Sequence, residues 1–334
     1  MRARFEEKIT HRTVAALRAR GHAVIDDFLL DVDANAFRDE LERLSMSRDE
    51  ANGRRYVRSN RTQFGDRGRH SKPNVYECDM HDEETVGETR GSEAYATTWR
   101  FFDATASGMA NAFVRVAPEM RLRTGNLSRT VKLQVNEGGG ACFPWHFDNP
   151  SAPSNRALTC ILYLNPEWKR GDGGEIRFQP FCGVATTVAP RHNRLVIFWS
   201  DRTLHRVMPF HGTRRYAVTV WLDGDFVDER TGASTNVCEL NLSTREALDD
   251  IAATAKSLAA SNVQRALSRA VYADEYEASL VECMGNAPGA MEMLESHYEH
   301  CREVKKNKAL KALVDALREY RREVETNGLE VNVP

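Results

Sequence analysis

The chain has 334 residues, of which 41% are hydrophobic and 28% charged, with a formal net charge of −2. These proportions are ordinary for a globular protein, and the length suits one large domain with an appendage or two domains. The near-neutral charge gives no whole-molecule attraction for nucleic acid or membrane, and no run approaches the roughly 18 consecutive apolar residues of a membrane span.

The opening residues, Met1 to Lys8, lack the apolar core of a secretory signal. Seven cysteines, an odd number without a Cys-x-x-Cys pair, argue against a disulfide framework and a zinc ribbon. They predict a reducing interior, cytosol or nucleus. Residues 10–21 carry Val14 and Leu17 and stop at Gly21, which predicts a short helix. A strand over 22–29 and a helix over 34–44, with Phe37, Leu41 and Leu44 on one face, follow. Residues 54–72 change character, because Arg54, Arg55, Arg58, Arg61, Arg67, Arg69 and Lys72 stand against a single acid, Asp66. This reads as a loop: either a solvated connector or a lid that meets an acidic substrate or a phosphate backbone. Over 92–120 the spacing of Trp99, Phe102, Met109 and Phe113 predicts one or two buried helices, a core layer and not a cofactor site.

From Val131 the period falls to two. Strands are expected near 131–137, 143–148, 157–165, 175–179, 183–188, 194–199, 204–208 and 214–222, with turns and no helices between them. Eight such strands suit a double-stranded β-helix, or jelly roll, closed round a pocket. After Phe226 the helical period returns. Ser243 to Glu246 forms a capping box, a second helix is expected over 262–284, and a third over 290–326 with Leu310, Leu313, Val314 and Leu317 as its seam. The expected organisation is a domain over 1–228, with its core at 131–225, and a helical extension over 240–330 that buttresses the barrel or supplies a dimer or partner contact.

The chemistry concentrates in two places. His146 and Asp148 are two apart, so on an extended strand both side chains share one face. His205 is the candidate third ligand. Two imidazoles and one carboxylate on one face of a metal leave positions open opposite, the donor set of non-haem Fe(II) sites. On the last strand Arg215 shares a face with Ala217, Thr219 and Trp221, whereas Arg214 shares one with Tyr216, Val218 and Val220. A guanidinium in such a pocket can meet a carboxylate through two parallel hydrogen bonds.

Five ordered blocks carry a resemblance: His146-Phe147-Asp148-Asn149-Pro150, Thr159-Cys160-Ile161-Leu162-Tyr163-Leu164-Asn165, Gly173-Gly174, Phe198-Trp199-Ser200-Asp201-Arg202, and Arg215-Tyr216-Ala217-Val218-Thr219-Val220-Trp221. The stretch from Val131 to Asp225 resembles the catalytic core of the Fe(II)/2-oxoglutarate-dependent dioxygenases, and within them the prolyl 4-hydroxylases, particularly those that act on hypoxia-inducible factors. The resemblance implies a mainly β core of the jelly-roll type inside an α+β protein, with supporting N-terminal helices. It implies Fe(II) on His146, Asp148 and His205, and the distal carboxylate of 2-oxoglutarate on Arg215 and Tyr163. Thr159, Ile161, Ile176, Val207, Thr219 and Trp221 would line the cosubstrate pocket. O2 is the expected oxidant, ascorbate an accessory reductant, and a proline in a protein or peptide, acidic on the lid reading of 54–72, the expected substrate. In the resembling enzymes a loop near that position closes over the peptide.

Other readings stay open: a different side chain, a small metabolite or a nucleic-acid base. The last is disfavoured because base demethylases of this kind carry a second arginine where Trp221 stands. Asp148 disfavours a halogenase, and the intact ligand set disfavours a non-enzymatic scaffold. Two positions depart from the pattern. The first core strand, Leu133-Gln134-Val135-Asn136, lacks the hydroxylases' tyrosine, leaving Gln134 or Asn136 to donate instead, and Phe143 replaces a second tyrosine near the peptide site.

Overall fold

The computed structural model describes residues 1–48, 53–63, 68–82, 86–227, 231–236 and 244–327. Among the described residues, two sheets face each other. The larger holds β1 (His22–Ile25), β9 (Arg194–Trp199), β6 (Arg156–Tyr163), β11 (Arg214–Asp223), β4 (Arg129–Glu137), β3 (Arg69–Asp79) and β2 (Arg58–Gln63), in that spatial order. The smaller runs β5 (Ala141–His146), β10 (Leu204–Phe210), β7 (Ile176–Gln179) and β8 (Thr186–Val188). Every pairing is antiparallel. Strands β4 to β11 form the double-stranded β-helix, and alternation decides what each side chain meets. On β6, Leu158, Cys160 and Leu162 join the core behind the large sheet, while Ile161 and Tyr163 join the cluster between the sheets with Ile176, Phe178, Val196 and Phe198.

Among the described residues, five N-terminal α-helices back the large sheet: α1 (Arg2–Lys8), α2 (His11–Arg20), α3 (Asp31–Met46), α4 (Ala96–Thr105) and α5 (Gly108–Val116). Phe5, Phe28, Phe37, Phe101 and Phe113 are each at most 1% exposed against it. α2 stops at Gly21, whose φ of 73° is left-handed and favours a residue without Cβ.

The C-terminal helices among the described residues are α6 (Thr244–Asp249), α7 (Ile251–Ala259), α8 (Gln264–Val271), α9 (Ala273–Met284), α10 (Ala290–Lys306) and α11 (Lys308–Asn327). They pack on the outside of the small sheet, where Trp145, Phe181 and Leu204 share one core with Leu258, Leu267, Tyr272, Tyr276, Leu313 and Leu317. Both long helices expected from the sequence are broken, at Tyr272 and at Asn307. Apolar spacing continues across each break, so the period alone does not reveal it. Of the expected capping box, Ser243 lies outside the described residues.

Two expectations are corrected. Within the stretch expected to be a loop, residues 58–63 and 69–72 are strand. β2 and β3 form a hairpin that extends the large sheet, with Arg58 opposite Glu77 and Arg61 opposite Ser71; Asp66 and Arg67 lie outside the described residues. Residues 58–63 and 69–72 carry no apolar alternation, so a period-two pattern does not reveal them as strands. The cysteine expectation is corrected at one pair: Cys142 on β5 and Cys283 on α9 form a disulfide. They are 141 residues apart, and only the packing of α9 on β5 brings them together. Cys78, Cys160, Cys182 and Cys301 are free and buried, and Cys238 lies outside the described residues.

Candidate active site

β5 and β10 present the two histidines as a directly opposed pair, His146 against His205. The next pair is Phe143 against Val207, so β5 spends three residues where β10 spends two. That is a β-bulge around Pro144. It turns both Phe143 and His146 into the barrel, and Cys142 and Trp145 outward to the helices. Simple alternation would have set Phe143 and His146 on opposite faces. Asp148 lies two residues beyond the end of β5, not within the strand that the sequence predicts.

The three candidate ligands converge. Nε2 of His146 is 3.4 Å and Nε2 of His205 3.8 Å from Asp148 Oδ1. One ligand atom from each of the three residues lies within 4.8 Å of the others. Each imidazole is fixed through its other nitrogen: Nδ1 of His146 is 2.8 Å from the Pro144 carbonyl, and Nδ1 of His205 is 3.1 Å from that of Thr203. Nδ1 therefore donates, and Nε2 keeps its lone pair for a metal. Burial and the neighbouring His146 push His205 down to about 4, so it is neutral at physiological pH. Burial alone would raise Asp148, but His205, His146 and the Trp221 indole outweigh it and hold the carboxyl well below the usual carboxylate range. Two neutral imidazoles and one carboxylate are the protonation states Fe(II) requires.

Asp148 divides its oxygens between two tasks. Oδ1 faces the imidazoles, and Oδ2 accepts from Thr159 Oγ1 at 2.7 Å and from Trp221 Nε1 at 3.0 Å. Thr159 and Trp221, expected as cosubstrate-pocket walls, thus hold the carboxylate at the metal end. They are cross-strand partners, and from them the same two rows lead inward through Ile161 and Thr219 to Tyr163 and Ala217. Val207 stands opposite both Phe143 and Ile176, on the facing wall.

Arg215 lies two residues beyond Ala217, 1% exposed. Its Nε donates to the Gly174 carbonyl at 2.8 Å, and its guanidinium lies 4.9 Å from the centre of the Tyr163 ring. Arg215 Nη1, the Tyr163 hydroxyl and both amide atoms of Asn136, the residue opposite Arg215, are buried without a hydrogen-bond partner. A desolvated cation flanked by orphaned polar atoms suits an anion, and a carboxylate has the acceptors that this cradle lacks. The cradle leaves no spare room. A Cβ on Gly174, whose φ is +76°, would stand 2.8 Å from Arg215 Cδ. Arg214 points the other way, to within 3.8 Å of Glu42 and 3.6 Å of Glu137.

Residues far along the chain also reach the metal loop. Arg265 on α8 donates to the Asn149 carbonyl at 2.7 Å and to Asn149 Oδ1 at 3.2 Å. On α9, Ser279 Oγ accepts from the Trp145 backbone N–H at 3.2 Å. With the Cys142–Cys283 bond, the helical layer grips the chain at Cys142 and Trp145 before, and at Asn149 just after, the stretch that carries His146 and Asp148. No sequence signal marks Arg265 or Ser279, since each works through a contact more than 100 residues distant.

Comparison with known proteins agrees with this geometry. The profile of the 2OG-Fe(II) oxygenase superfamily matches residues 131–223. The hypoxia-inducible factor prolyl hydroxylase of Caenorhabditis elegans is 28% identical over 227 residues, 64% of this chain and 28% of that protein. The prolyl hydroxylase EGLN3 of Mus musculus is 39% identical over 114 residues, 33% of this chain and 46% of that protein. The chain thus aligns over less than half the length of these two relatives. A crystal structure of prolyl 4-hydroxylases from Phytophthora capsici superposes with a TM-score of 0.75 at 35% identity, covering 96% of this chain and 95% of that one, the C-terminal helices included. The chain belongs to the 2OG-Fe(II) oxygenase superfamily, on the branch that holds the prolyl 4-hydroxylases.

Proposed function

We propose that the chain hydroxylates a prolyl residue of a protein or peptide. The observation that carries this reading is the convergence of His146, Asp148 and His205 at one end of a barrel whose other end holds the desolvated Arg215 beside the unpartnered Tyr163 hydroxyl. His146, Asp148 and His205 would hold Fe(II), which together with 2-oxoglutarate and O2 supplies the power to insert oxygen into an unactivated C–H bond, releasing succinate and CO2.

The chain's own residues supply position and shelter. Thr159 and Trp221 keep Asp148 Oδ1 turned to the imidazoles. Arg215 and Tyr163 anchor the distal carboxylate, and Ile161, Ile176 and Phe198 keep water from the channel between. The open side is that of His146, whose side chain is 35% exposed where that of His205 is 3%. Substrate therefore approaches over His146. The helices over 240–330 act as a buttress for β5, and the arginines of the β2–β3 hairpin favour an acidic partner. Ascorbate would serve as an accessory reductant.

The test is incubation of the purified protein with Fe(II), 2-oxoglutarate and proline-containing acidic peptides, followed by fragment mass spectrometry. A single added oxygen on proline, absent with Asp148→Ala, is expected. Oxygen added to another residue, or to none, would overturn the prolyl reading.

A further inference from the structure

Between the sheets, at the mouth of the barrel, lies a charged network outside the metal and cosubstrate sites. Lys132 on β4 stands opposite Thr219, in the inward row, and its Nζ donates to Glu77 Oε1 at 2.9 Å. Glu77 Oε2 accepts from Asn60 Nδ2 at 2.6 Å, and Asn60 Oδ1 accepts from Lys72 Nζ at 2.7 Å. Lys72 also lies 4.7 Å from the centre of the Phe143 ring, and that ring is 6.1 Å from the ring of His146. The ammonium is therefore two ring contacts from the exposed face of the metal site.

The network is out of balance in charge and in hydrogen bonds. Two lysines face one glutamate, and both oxygens of Glu77 are taken by Lys132 and Asn60. Lys72 is 7% exposed, yet among the described residues its three N–H donors find one acceptor, the neutral Asn60 oxygen, and no carboxylate. A buried ammonium whose nearby carboxylate, Glu77, is already committed to Lys132 and Asn60 is costly, and a packing role against Phe143 would be filled more cheaply by methionine. The deficit is that of a site awaiting an anion.

We propose that Lys72 is a substrate-recognition residue, taking the carboxylate of an Asp or Glu close in sequence to the residue that is oxidised. The separation from His146 sets how close: an extended peptide advances about 3.4 Å per residue, so the acid lies within about three residues of the target. Phe143 forms the shared wall, holding the target on its His146 side and the acid on its Lys72 side. The hairpin arginines attract acidic segments without register, and Lys72 supplies the register. Only the identity of the oxidised residue rests on the prolyl reading.

The experiment uses the full chain loaded with Mn(II) and 2-oxoglutarate, to which peptides bind without turnover. One Asp is moved through the positions flanking a central proline, each peptide is compared with its Asn counterpart, and a parallel series carries Ala in place of proline. At one or two positions within three residues of the centre, Asp should bind about tenfold more tightly than Asn, the scale of one charge-assisted hydrogen bond. Lys72→Met should erase that difference and Lys72→Arg should retain it. Equal binding of Asp and Asn at every position in the wild type overturns the proposal whether or not the variants fold, as does a preference that survives Lys72→Met. If the Fe(II) enzyme oxidises no proline while the Ala series keeps a Lys72-dependent preference, the prolyl reading fails and the subsite stands.

Discussion

Replacing Arg215 with methionine probes the anion cradle where it is least forgiving. The side chain is 1% exposed and has spent Nε on the Gly174 carbonyl, which leaves its terminal nitrogens, Nη1 without a protein partner, for the distal carboxylate of 2-oxoglutarate. Methionine keeps most of the volume against Tyr163 but leaves a buried carboxylate unpaired. Breaking one side of such a pair costs about 3–5 kcal/mol, or roughly two to nearly four orders of magnitude in Kd for 2-oxoglutarate. The same substitution removes an uncompensated buried cation from the free protein, so Tm without cosubstrate should hold or rise. Arg214→Met, on the outer face beside Glu42 and Glu137, should change the affinity by no more than about twofold. Titration calorimetry of 2-oxoglutarate into the Mn(II)-loaded variants reads both. The reverse order for the two arginines would mean that the register of β11 is wrong by one residue, and a loss below about fivefold in Arg215→Met would remove it from the cosubstrate site.

Three further outcomes follow from the surrounding contacts. Trp221→Phe deletes one of the two donors on Asp148 Oδ2 and should weaken Co(II) binding about 10- to 100-fold with little change in Tm, as loss of a ligand-orienting partner does. Arg265→Met should weaken Co(II) binding about tenfold through Asn149, although Arg265 touches no ligand, and Arg265→Lys should recover part of it. The preference for acidic peptides should fade as pH rises through about 8, because burial and nearby Lys132 lower Lys72 to that value against the opposing pull of Glu77. The cation is the form that binds, so deprotonation weakens the acidic peptide and leaves its Asn counterpart unchanged; a preference constant to pH 10, about two units above the Lys72 value, would contradict the assignment.

His146 and Asp148 were legible from their two-residue spacing, although Asp148 lies past the end of β5. His205 and Arg215 fall on the inner rows that apolar spacing defines. The bulge at Pro144 was not legible, since period-two reading assumes one residue per step, and the bulge is what turns Phe143 toward Lys72. Nor was the hairpin, whose polar residues contact one another inside the mouth instead of an apolar core. Arg265, Ser279 and the Cys142–Cys283 bond depend on helices docking across the small sheet, which cysteine parity and helical period cannot encode.

The most direct test of the site is anaerobic addition of Fe(II) and then 2-oxoglutarate to the purified chain, followed by visible absorption. Chelation of the metal by the 2-oxo acid gives a charge-transfer band only when both occupy one centre. The wild type should saturate at one Fe(II) per chain and develop the band. Asp148→Ala and His205→Ala should show neither, and Arg215→Met should develop the band only at far higher 2-oxoglutarate. A band of wild-type strength in Asp148→Ala would place the iron elsewhere and contradict the account.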